Sequence, residues 1–172
     1  WSNPRGQGIE VKMLMLYKMP MIIGSIASLH LHPDVSGDLM VNVKSFELIA
    51  DVGIKKNGGN RNYGNNGRRQ VSLIEREQLS EHAVDLAIPY FSPGQVRANI
   101  ETEGINLVEL IGSNISIGKT KLQIIEARTP CDKMDKIFPG LRKKMGNEKQ
   151  GVLAEVIESG IIQEGDKIIP SD

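Results

Sequence analysis

Among its 172 residues the chain has a single cysteine, Cys131, so no disulfide can form within it. Aromatic residues are scarce at 4%, and the core must therefore be built from Ile, Leu, Val and Met. Neither sign of charge prevails: 21 basic residues face 21 acidic ones. No global field draws the chain to nucleic acid or to an anionic membrane, and neither is expected as a partner. Long hydrophobic runs are missing too. The apolar stretch over 11–23 is broken by Lys12, Lys18 and Pro20, which makes it too interrupted for a signal core or a membrane span. Together with the lone thiol this fits a cytoplasmic protein. No Cys-x-x-Cys, His-Glu-x-x-His, Gly-x-Ser-x-Gly or Walker pattern occurs, which weighs against hydrolases and nucleotide-dependent enzymes.

What is present fits one ordinary domain. The length is enough to bury a proper core, and the 40% apolar and 24% charged content is that of a soluble globular chain. Residues 1–10 read as a flexible tail, because the run over 1–8 is polar and rich in Gly, Pro and Asn. The domain then spans 11–172. Short segments rich in Ile, Val and Leu recur between Gly, Asn, Asp and Pro turns, the pattern of an all-β barrel or sandwich. Strands are expected within 22–32, 40–52, 71–74, 113–117, 121–128, 151–158 and 167–169, with a hairpin at Gly118-Lys119 and turns around Gly160 and Gly165-Asp166. Two helices interrupt them. Ser72 and Glu75 have capping-box spacing ahead of a helix over 75–86, with Leu79, Ala83 and Leu86 on one face. Met134, Ile137, Phe138, Leu141 and Met145 recur at helical spacing over 132–145, although Pro139-Gly140 must break that helix.

The chemistry centres on Cys131. A thiol reacts as thiolate, a form favoured by nearby cations or a helix N-terminus, and Arg128, Lys133 and the helix that follows can supply both. Pro130 has no amide hydrogen and places the thiol at a strand end. The plainer reading is a small buried hydrophobe, since free cysteine is among the most buried residue types. Against it stands the company of Arg128, Thr129, Pro130, Asp132 and Lys133. Arg142, Lys143 and Lys144 form a basic cluster that reads as a solvated face or an anion site. Residues 55–69 have almost no apolar content and are expected to form a long surface loop, in which glycine amides and Arg61, Arg68 and Arg69 suit an anion. His30 and His32, two apart on a strand, share a face and could share a metal, but no third ligand is evident and structural or surface roles are favoured. His82, between Glu81 and Asp85, is expected to face solvent.

Taken together the residues resemble a MOSC domain, the module named for the C-terminal part of molybdenum-cofactor sulfurases and also found as small stand-alone bacterial proteins. The resemblance is carried by Arg69-Gln70-Val71-Ser72-Leu73, by Pro93-Gly94-Gln95-Val96-Arg97-Ala98-Asn99-Ile100 with Gly104, by Leu110-Ile111-Gly112, Ile117-Gly118 and Pro130-Cys131, and by Gly151, Ser159-Gly160-Ile161-Ile162 and Gly165-Asp166-Lys167-Ile168. It implies a mainly β fold, a closed β-barrel with a few helices in a single domain. It also implies a functional thiol: Cys131 either carries sulfur as a persulfide or ligates molybdenum. Arg69, Arg97, Asn99, Arg128 and Lys133 would then bind the phosphate and pterin of a molybdopterin cofactor. Many relatives carry Gly-Asp after the strand that ends here near Gly53-Ile54, where this chain has Asn57-Gly58-Gly59-Asn60. There is no room for the pyridoxal-phosphate desulfurase domain of the large sulfurases, so a separate cysteine desulfurase is the expected sulfur donor.

Three functions follow from the resemblance. The first is a sulfurtransferase-like carrier in metal-sulfur cluster or molybdenum-cofactor maturation. The second is a molybdenum-dependent reductase of N-hydroxylated compounds with Cys131 on the metal, soft thiolate suiting such a ligand. The third, kept open by the altered segment at Asn57 to Asn60, is a non-catalytic binding protein on the same barrel.

Overall fold

The computed structural model describes residues 21–55 and 70–172. The expected tail over 1–10, the segment Asn57 to Asn60, and Arg61, Arg68 and Arg69 lie outside the described residues. Eleven strands are described: β1 (Gly24–Leu31), β2 (Val41–Val43), β3 (Ser45–Ile49), β4 (Gly53–Ile54), β5 (Val71–Glu75), β6 (Ile100–Glu103), β7 (Asn114–Ile117), β8 (Thr120–Ala127), β9 (Val152–Glu158), β10 (Gly160–Gln163) and β11 (Lys167–Ser171). With them come three helices, α1 (Arg76–Asp85), α2 (Asp132–Ile137) and α3 (Leu141–Lys144). None of the described helices is long and apolar enough to cross a membrane.

Seven strands close into a barrel in the order β11-β7-β8-β9-β5-β6-β1, sealed where Gly24 and Ser25 of β1 pair with Ile168 and Lys167 of β11. β2 extends the sheet beyond β1, and β10, β3 and β4 form a separate small sheet. All the barrel pairings are antiparallel except β5 with β6. A parallel pair needs a crossover, and α1 with the loop after it supplies one. That crossover loop brings Arg97 and Asn99 back to the barrel.

The single domain has two apolar layers. Alternate residues of the strands fill the barrel, among them Leu29, Val71, Leu73, Ile100, Leu122, Ile124, Val152 and Val156. Outside it, Ile74 of β5 packs with Leu79 and Ala83 of α1, Phe91 and Val96 of the crossover loop, and Met134, Leu141 and Met145 of the α2–α3 segment. β5 is therefore buried on both faces, which is why it reads as a nearly continuous apolar run. The helix over 132–145 breaks as its Pro139-Gly140 requires: Phe138 is extended and Gly140 adopts φ +91°.

Several expectations are corrected by longer-range partners. Ser72 is no capping residue: it lies inside β5 and hydrogen-bonds Asn99, while Glu75, at the N-cap of α1, makes no side-chain cap. His82 is buried, 1% exposed, with Nε2 2.6 Å from the Lys149 carbonyl oxygen. The segment 40–52 holds two strands, β2 and β3, and Gly160 opens β10 where only a turn was expected.

Candidate functional site

A cavity of about 180 Å³ opens on the outer wall of the barrel. Its floor follows from strand register, because Ser72 of β5 and Leu153 of β9 are paired neighbours and both point away from the barrel core. His32, just past β1, and Ile54 of β4 also line it. From the crossover loop come Arg97 and Asn99, from the segment after β8 come Arg128, Thr129 and Cys131, and from α2 come Lys133 and Met134. Gln70 and Gln150 complete it. Residues far apart in sequence thus meet: Cys131, Arg97, Asn99, Arg128 and Lys133 all line one cavity, whereas Arg69 lies outside the described residues.

Buried polar contacts hold the crossover loop in place. Glu101 of β6, fully buried, accepts from Ser28 Oγ at 2.8 Å and from the Gly94 amide at 3.1 Å, and it pairs with Arg76 Nη2 at 3.1 Å. A buried carboxylate is tolerated only with such partners. Asn99 Oδ1 accepts from the amide and hydroxyl of Ser72, at 3.1 and 3.0 Å, and its Nδ2 donates to the His30 carbonyl at 3.2 Å. Its oxygen is thereby committed to clasping β5 to the loop, leaving only the second amide hydrogen to face a ligand. Arg97 adopts φ +66°, a left-handed conformation that L-residues rarely take, and its Nη1 donates to the Asp38 carbonyl at 2.7 Å.

Cys131 is exposed, which sets aside the buried-hydrophobe reading. It occupies the N-cap position of α2, four residues past the end of β8. Its carbonyl accepts from the Met134 amide at 3.0 Å, but its side chain makes no capping bond, so the helix amides do not engage the sulfur. The electrostatics around it are one-sided. Among the described residues lining the cavity, Arg97, Arg128 and Lys133 carry positive charge and none is a carboxylate. The chain's overall charge is zero, so this patch is a local concentration of charge. Arg142 and Lys143 line a second cleft that shares Arg128 and Thr129 with this cavity, and Arg142 is paired with Asp132.

The two histidines separate in role. His30 is buried with Nδ1 2.8 Å from the Ala98 carbonyl, a structural position, while His32 lines the cavity. Among the described residues no group of three or more His, Cys, Asp or Glu side chains could hold a metal ion on its own. Sequence reasoning passed over Gln70, Ser72 as a lining residue, Met134 and Gln150. Gln70 and Ser72 lie in a motif quoted for the resemblance and Met134 three residues past Cys131, whereas no local signal marks Gln150.

With this geometry in hand, a family model described as MOSC domain matches residues 51–169. No curated protein matches the sequence. Among solved structures the chain is similar to the YuaD protein of Bacillus subtilis, at TM-score 0.71 and 19% identity over 87% of this chain and 96% of that one. It is also similar to YiiM of Escherichia coli, at TM-score 0.61 and 18% identity over 90% and 70% of the two chains. YiiM of Geobacillus stearothermophilus compares at TM-score 0.62 and 18% identity over 89% and 76%. At these identities the likeness is one of fold.

Proposed function

The chain belongs to the MOSC domain family, and on that premise we propose that it is a sulfur carrier whose Cys131 is loaded as a persulfide and whose adjoining cavity seats an anionic acceptor. The observation that carries this reading is an exposed thiol on the wall of a cavity lined, among the described residues, by three cations and no carboxylate. An exposed sulfur is reachable by a macromolecular donor, and the cations lining the cavity attract an anionic acceptor.

Loading needs no net oxidation. The Cys131 thiolate attacks the terminal sulfur of a donor cysteine persulfide; the donor's S–S bond breaks, a new S–S bond forms at Cys131, and the donor leaves as thiolate, which takes up the proton Cys131 gave up. A pyridoxal-phosphate-dependent cysteine desulfurase is the proposed donor. Release of the carried sulfur as sulfide consumes two electrons. Cys131 is the only cysteine in the sequence, so a second thiol from another molecule must supply them, ending as a disulfide.

The donor set fits the molybdenum cofactor that the family implies. Arg97 and Arg128 would hold its phosphate through planar guanidinium forks and Lys133 through a point charge. Cys131 Sγ is the soft donor such a metal prefers. When bound, that group supplies a redox-active metal beside the thiol. A second reading makes Cys131 a permanent metal ligand in a reductase of N-hydroxylated compounds, and it is favoured by the thiol lining the cavity as well as facing solvent.

Metal analysis separates the two. Protein made in a host that assembles the cofactor is assayed for molybdenum and oxidised pterin, wild type beside Cys131→Ala. The carrier reading expects little metal retained in either. Near-stoichiometric molybdenum that disappears in Cys131→Ala would overturn the carrier and establish the ligand.

A further inference from the structure

The segment that leads into β9 is gripped on all sides. Gln78 Nε2 of α1 donates to the Glu148 carbonyl at 3.3 Å, and His82 Nε2 lies 2.6 Å from the Lys149 carbonyl oxygen. The Gly151 amide donates to Gln78 Oε1 at 3.2 Å, and the Gly151 carbonyl accepts from the Arg128 amide at 3.0 Å. Gly151 sits at φ +76° so close to β5 that a Cβ there would lie 2.0 Å from the Leu73 carbonyl oxygen. Only glycine fits, and the backbone on both sides of residue 150 is fixed.

Gln150 is turned inward from this rigid segment. It is 2% exposed and lines the cavity beside Met134 and Cys131. Its Nε2 meets Met134 Sδ at 3.4 Å, a weak acceptor, while its Oε1 is buried and receives no hydrogen bond among the described residues. The other two lining amides differ. Gln70 Oε1 accepts from the Val156 amide at 2.8 Å, and Asn99 Oδ1 accepts twice from Ser72. A buried carbonyl oxygen with no donor destabilises a fold, so such a group calls for an explanation.

We infer that Gln150 is a specificity-determining residue of the cavity, its amide accepting an N–H of an uncharged planar heterocycle whose anionic substituent the neighbouring cations hold. The inference rests on the reading of this cavity as a seat for an anion. A ligand lacking the N–H leaves a buried acceptor unpaired, and sites of this kind reject such analogues far more strongly than they reject a change in apolar bulk.

The test uses the full chain, the fluorescent probe pterin-6-carboxylate, which carries both an anion and N–H donors, and inorganic phosphate as the anion alone. Gln150→Leu is expected to melt, without ligand, at or above the wild-type temperature, because it removes an acceptor that has no donor. Its affinity for pterin-6-carboxylate should fall roughly ten-fold with phosphate affinity unchanged, whereas Arg97→Ala should weaken both. A lower ligand-free melting temperature in Gln150→Leu would mark the amide as structural and overturn the inference. So would unchanged pterin affinity. If wild type binds neither probe, the anion seat itself falls and the inference with it, a result distinct from the variant-specific failures.

Discussion

Arg97 shows how a single residue can join strain to function. Its left-handed backbone, φ +66°, is one that glycine takes freely and other L-residues take at a loss of roughly 1–2 kcal/mol. Here the chain keeps an arginine, with its guanidinium on the Asp38 carbonyl and its side chain on the cavity wall. Strain of this kind concentrates at sites of use. The expected outcome of paired variants follows: Arg97→Gly and Arg97→Ala lose the same charge and hydrogen bond, but Arg97→Gly should be the more stable by about 1 kcal/mol, and both should bind phosphate more weakly than wild type. Chemical denaturation and phosphate titration check this. Equal stability of the two variants would show that the backbone there is unstrained. Other residues carry their meaning only through partners far along the chain. His82 looked solvent-facing beside Glu81 and Asp85, and its carbonyl partner lies 67 residues away. Asn99 and Ser72, 27 residues apart, likewise define each other.

At the scale of elements, legibility followed periodicity. β5, β7, β8, β9 and α1 were readable because alternation or helical spacing is local and each buries a regular face. β6 was not, since Ile100-Glu101-Thr102-Glu103 offers one apolar residue, and the burial of Glu101 depends on Arg76 of another element. The junction of β5 and α1 makes a test of its own. Burial pushes the Glu75 carboxyl above the ordinary 4.5, helped by the nearby charges of Glu77, Glu81 and Glu109 and opposed by the hydrogen bond it accepts from the Leu107 amide. A carboxyl whose folded value is raised holds its proton more tightly in the native state, so its contribution to stability is greatest below 4.5 and is lost as pH rises through the folded value. Glu75→Gln keeps the oxygen that accepts from Leu107 and removes the charge. Its melting temperature should exceed that of wild type at neutral pH, with the difference shrinking as pH is lowered toward 4.5. A difference that grows on acidification would contradict this assignment.

For the whole molecule, the barrel supplies a frame and the helical layer outside it supplies the site. Closure of β1 on β11 fixes the strand ends, while the parallel crossover and the segments flanking β9 bring five of the six residues read from the sequence to one cavity. Arg97, Asn99 and Cys131 were legible through motifs that the family shares, and Arg128 and Lys133 as cations flanking the thiol; Gln150 was not, because its burial depends on α1 and on the close approach at Gly151. The altered segment Asn57 to Asn60 lies outside the described residues. The claim that unites these features is that the exposed thiol at the cavity wall carries sulfur. The most direct measurement is the intact mass of the chain after incubation with a cysteine desulfurase, its pyridoxal phosphate and free cysteine, for wild type beside Cys131→Ala. Wild type should gain the mass of one sulfur atom, removed by a reducing thiol, while Cys131→Ala, equally folded because the lost side chain is exposed, should gain none; a wild type that returns unchanged, or a variant that gains sulfur equally, would contradict the account.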